Sequence, residues 1–114
     1  MTRRYFEGLR PEGPVRVTLG YDRPLDECFL QVARNPRDKN DDMETFDDWY
    51  LYLSVADPDA PTDDLEYFRS KLAELGIEVP ESLFLAVTQD AIKRVGNLVA
   101  EHFADGRIIV HYSD

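Results

Sequence analysis

The stretch Trp49-Tyr-Leu-Tyr-Leu-Ser-Val55, followed by Ala56-Asp-Pro-Asp-Ala-Pro61 and Thr62-Asp-Asp-Leu-Glu66, changes its hydrophobic period part-way. Trp49 to Val55 alternates with a period of two and reads as a strand. Ala56 to Pro61 reads as a turn. Beyond it Leu65, Phe68, Leu72 and Leu75 fall on one helical face, and Gly76 supplies a stop. Thr62 or Asp63 is the expected cap, Asp63 and Glu66 have capping-box spacing, and acids in the first turn suit the positive end of the helix dipole. Strand-type residues therefore give way here to helix-type ones.

Working outward from that junction, Pro80 is placed to open a second helix with Leu83, Phe84, Val87, Ala91 and Val95 as its buried stripe, ending at Gly96. Upstream, Arg3 to Leu9, Val15 to Leu19 and Glu27 to Arg34 read as strands. Gly13 eases the first hairpin, and Asn35 to Asp48 is a long polar loop. Downstream, Leu98 to Ala104 and Arg107 to Tyr112 flank Asp105-Gly106, the dipeptide of a two-residue type I′ turn. That turn would pair Phe103 with Ile108 and place His102 and His111 on one face. Strands, then helices, then a hairpin predict one α+β domain over 1–114: an antiparallel sheet of about five strands with two helices on one face.

Charge is the feature most relevant to function. The chain of 114 residues carries 23 acids against 13 bases, a formal net charge of −10. Ten of those acids lie between Asn40 and Glu66, with no Lys or Arg among them: Asp41, Asp42, Glu44, Asp47, Asp48, Asp57, Asp59, Asp63, Asp64 and Glu66. A surface of this sign weighs against direct nucleic-acid or anionic-membrane binding and favours a basic protein partner. A seven-residue strand would hold the two acidic loops about 20 Å apart. If Trp49, Leu51, Leu53 and Val55 face the helices, Tyr50 and Tyr52 join Phe29 and Thr18 on the open face. That surface suits recognition of another protein or a weak homodimer. Tyr50, Tyr52 and the acids of both loops are thus the candidate binding residues.

Signatures of catalysis are sparse. No phosphate loop, G-x-S-x-G elbow or H-E-x-x-H pair occurs, and no cofactor is expected. Asp38, Asn40, Asp42 and Glu44 begin a calcium-loop rhythm, but Met43 stands where Gly is needed and Trp49 where the bidentate Glu belongs. Cys28 alone makes neither an internal disulfide nor a usual zinc site, and reads as a small core residue. One catalytic arrangement remains open, a metal-assisted hydrolase using His102, His111 and loop carboxylates. The N-terminal residues lack the apolar run of a secretory signal, which makes the cytoplasm the expected compartment.

Val17-Thr-Leu-Gly-Tyr-Asp-Arg-Pro-Leu25, Phe29-Leu-Gln-Val32 and Arg94-Val-Gly-Asn97 resemble segments of small acidic accessory proteins carried on bacterial plasmids and integrative conjugative elements. The shared motifs themselves read as structural; proteins of this size and charge on such elements include anti-CRISPR and anti-restriction inhibitors, some of which imitate DNA, and that analogy of context and charge makes a non-catalytic inhibitor or adaptor the expected function. An immunity or antitoxin protein for a basic nuclease toxin is the second expectation within the binding class.

Overall fold

In the computed structural model, residues 1–34 and 49–114 are described. Expectations for Asn35 to Asp48, including Asp41, Asp42, Glu44, Asp47, Asp48 and the calcium-like spacing, lie outside those residues. The element order is β1 (Thr2–Arg10), β2 (Gly13–Asp22), β3 (Glu27–Arg34), β4 (Tyr50–Leu53), a 3-10 turn (Ser54–Ala56), α1 (Leu65–Glu74), α2 (Glu81–Lys93), β5 (Leu98–His102) and β6 (Ile108–Ser113).

The strands form a single six-stranded sheet in the order β4-β3-β2-β1-β5-β6. Neighbouring strands run antiparallel except β1 and β5, which pair parallel with Thr2 opposite Leu98 and Tyr5 opposite Glu101. The α+β class holds, while the sheet is mixed and larger than expected. The reason is connectivity: the chain leaves at β4, runs through both helices, and returns along the free edge of β1 in β1's own direction.

β2 is the spine. Its alternation buries Val15, Val17, Leu19 and Tyr21 on the face where β3 contributes Leu30 and Val32. Phe68 and Leu72 of α1, then Leu83, Phe84 and Val87 of α2, close over them with Ile77. Each such side chain stabilises the fold by about 1.5–3 kcal/mol on burial. Asp64, rather than Thr62 or Asp63, caps α1 by accepting from Glu66 N, and Gly76 ends it at φ 73°. α2 stops earlier than Gly96, at Lys93, because Arg94 turns left-handed at φ 51°.

Two sheet registers differ from the expectation. β4 is only Tyr50–Leu53, and an irregularity between Val32 and Ala33 sets Tyr50 against Ala33 but Tyr52 against Val32. Tyr52 therefore packs against the core from the helix side, and Tyr50 stays on the open face. In the last hairpin Gly106 N donates to Phe103 O, and Phe103 N to Arg107 O, at 3.0 Å each. Gly106 has φ 92°, so the loop is a type I turn with a glycine bulge rather than a two-residue turn. His102 consequently pairs with Ile108. A one-residue shift exchanges the faces: His102 points into the helix layer, whereas His111 lies on the open face, stacked on Tyr5 with ring centroids 6.1 Å apart.

Candidate functional site

Beyond Leu53 the edge of β3 is sealed by non-strand groups. Leu30 N donates to Ser54 Oγ at 3.0 Å, and Cys28 N donates to Thr62 O at 2.7 Å. These bonds draw the Ser54–Asp64 segment alongside β3 and leave a cleft of about 300 Å³ between it and the β2–β3 turn. Phe29, Leu25, Val55 and Pro61 supply apolar lining, and Asp22 and Glu27 supply carboxylates. Phe29 lies over Gly20, where a Cβ would stand 2.5 Å from its ring and 2.1 Å from Thr2 O. Only glycine fits there, so the floor of the cleft depends on it. Leu25 and Val55, 64% and 88% exposed, stand as two aliphatic side chains on the lining of this one cleft.

Asp59 and Asp63 sit immediately either side of the lining stretch Ala60–Thr62. Together with Asp22 and Glu27 they have no ion-pair partner among the described residues. Most other carboxylates do: Glu7 with Arg16, Glu12 with Arg10, Asp26 with Arg94, Glu66 and Glu81 with Arg69, Glu74 with Lys71, and Asp105 with Arg107. Four carboxylates without an ion pair among the described residues thus lie in or beside the cleft, whose lining also carries Arg3. Asp63 and Asp26 also act on Cys28, whose thiol is pushed up to about 11, chiefly by burial. That thiol stays protonated at neutral pH and is no nucleophile.

The expected binding residues separate into three groups. Asp59 and Asp63 have no ion pair among the described residues and adjoin the stretch that lines the cleft. Asp57 and Asp64 have internal work: Asp57 Oδ2 accepts from the Tyr52 and Tyr67 hydroxyls at 2.8 and 2.9 Å, and Asp64 caps α1. The phenols hold the Asp57 carboxyl below its ordinary range, and burial with the Asp57 contact raises Tyr52. Tyr50 lies elsewhere, in a hollow with Arg16, Thr18 and Trp49, while Tyr52 is not on the open face at all. The open-face aromatic cluster proposed for a homodimer is therefore broken up. Asp22, Leu25, Glu27 and Val55 were not singled out from sequence. The signal available was Asp22-Arg-Pro-Leu-Asp-Glu27, a turn with three acids and an aliphatic residue that no periodicity accounts for.

The histidines do not form a site together. His102 is 1% exposed, with Arg4 Nη1 at 3.2 Å from its Nε2 and Ser82 Oγ at 3.0 Å from its Nδ1. Since a guanidinium only donates, Nε2 accepts and Nδ1 carries the proton toward Ser82. This is the wrong direction for activating a serine. Arg4 in turn grips Asp90 with two bonds of 2.7 and 2.9 Å in the interior. Among the described residues no three of His, Cys, Asp and Glu converge as metal ligands, and the carboxylate beside His111 is that of Glu101, at 3.4 Å. The hydrolase arrangement loses the histidine pair that it required.

No protein-family model, no curated protein and no solved structure matches the chain. Among the described residues no helix is long and apolar enough to cross a membrane.

Proposed function

We propose that this protein is a non-catalytic inhibitor or adaptor that occupies a basic, nucleic-acid-binding surface of another protein with the carboxylates around the β3-edge cleft. One observation supports the reading: among the described residues Asp22, Glu27, Asp59 and Asp63, in or beside the cleft, have no ion pair, while most acids elsewhere are matched with bases. Unpaired like charges held together repel one another, and a cationic partner relieves that repulsion. Duplex DNA presents one negative charge per about 1.7 Å of axis, so clustered carboxylates compete for the same Lys and Arg residues. Direct contact with nucleic acid is disfavoured by the same charge. Anti-CRISPR or anti-restriction activity in the bacterial cytoplasm is the most specific form of the proposal.

Co-purification from the native host followed by mass spectrometry identifies the partner, and a plasmid-interference assay with and without the protein tests the inhibitor role. Asp22→Asn, Glu27→Gln, Asp59→Asn and Asp63→Asn combined should preserve the circular dichroism spectrum and weaken binding at least ten-fold. The loop set Asp41, Asp42, Asp47 and Asp48, neutralised separately, measures the contribution of the other acidic segment. Affinity should fall steeply between about 50 and about 500 mM salt. Equal affinity at both concentrations overturns the proposal.

A further inference from the structure

The cleft combines two features that charge alone does not explain. Leu25 on the β2–β3 turn and Val55 on the 3-10 turn stand exposed at its rim, and Phe29 over Gly20 forms its floor. Simple electrostatic docking needs no apolar hollow between the acids. A strand from another chain cannot add here, because the β3 amides of Leu30 and Cys28 are already bonded to Ser54 Oγ and Thr62 O. Whatever enters must do so through side chains.

The surrounding charge gives the occupant a direction. Asp22 and Glu27 line the turn wall, and on the loop wall Asp59 and Asp63 stand next in the chain to the lining stretch Ala60–Thr62. The third wall, formed by β1, carries Arg3, whose Nε is turned to Met1 Sδ at 3.5 Å. Arg23, on the same turn as Leu25, lies against Gly96.

We infer that the cleft receives one large apolar side chain, Leu-like or aromatic, from a short Lys/Arg-rich segment of the partner. The flanking bases engage the turn and loop carboxylates and keep away from Arg3. This rests on the reading of the protein as a binder of basic surfaces, and adds to it a hydrophobic anchor. Such an anchor lets the protein distinguish one basic protein from another, which carboxylates alone do poorly.

The test uses two synthetic peptides, a short Lys/Arg run with a central Leu and the same run with Ser in its place. Both are titrated into the ¹⁵N-labelled chain at several salt concentrations. The Leu peptide should bind about ten-fold more tightly, the value of burying one such side chain, and shift the amides of Leu25, Phe29 and Val55. Val55→Ser, at an exposed position, should keep the wild-type melting temperature and abolish the preference while leaving the salt dependence intact. Equal affinity of the two peptides, with both weakened by salt, overturns the anchor and leaves the charge-based proposal standing. Binding insensitive to salt overturns both. Amide shifts by the Leu peptide confined to surfaces away from the cleft also overturn the anchor.

Discussion

At the scale of single residues, the most consequential arrangement is the line Asp90, Arg4, His102 and Ser82 under the sheet. Burial, followed by the Arg4 charge, lowers His102 to about 4, with Asp90 opposing in part. A histidine lowered in the folded state takes up its proton more readily when unfolded. Stability should therefore decline as pH falls below about 6.5, by about 2 kcal/mol at pH near 5, and level off below about 4. Asp57, Glu81, Asp105 and Asp114 have lowered carboxyls, so their contribution is present above the ordinary carboxyl range and lost only at more acidic pH. Thermal melts at pH 7 and 5 check this: wild type should lose several degrees, and His102→Gln should be nearly flat over the interval. Asp57 gives a second prediction. Tyr52→Phe and Tyr67→Phe, each removing one hydroxyl from that carboxylate, should each lower the melting temperature by about 5 °C and leave partner affinity unchanged. The buried ion pair was legible in principle. Thr2, Arg4 and Phe6 share one strand phase, and Leu83, Val87 and Asp90 one helical stripe, so each face carries a charge of opposite sign. Reading Ala91 into the stripe instead of Asp90 hid it.

At the scale of elements, hydrophobic pattern and turn residues located the strands and both α-helices but not the 3-10 turn at Ser54–Ala56, most of which the alternation reads as strand, while register depended on single-residue details that period does not encode. Asp105-Gly106 fits a two-residue turn and equally a three-residue loop with glycine as the bulge, and the second choice put His102 inside. The Val32/Ala33 irregularity did the same to Tyr52. The cleft was less legible still, since it arises where a strand ends early and a loop takes over its hydrogen bonds. β6 bears on solution behaviour: it is an outer strand, exposed along its whole length, with Ile108, Ile109, Val110 and Tyr112 unprotected by Lys or Pro. Val110→Lys should leave the melting temperature within about 1 °C and reduce self-association on concentration, as read by light scattering. Unchanged scattering would show that the bulge opposite Val99 and Ala100 already shields this edge.

At the scale of the whole molecule, the net charge of −10 is unevenly compensated, and the shortfall at the cleft should carry a stability cost. Asp59→Asn with Asp63→Asn should therefore raise the melting temperature at low salt, an increment that fades as salt screens the charges, while weakening partner binding. A gain in both stability and affinity would contradict a binding role for these acids. The parallel pairing of β1 with β5 has a different kind of consequence, in time. Thr2 meets Leu98, so β1 waits for a partner strand that is made long after it. During synthesis, at roughly 5–20 residues per second, β1 can pair with β2 but keeps its other edge bare for several seconds. Arg4 meanwhile lacks the imidazole that later faces it. The nascent protein thus passes through a period in which its most vulnerable edge is internal to the final sheet, and that edge closes only once β5 has emerged.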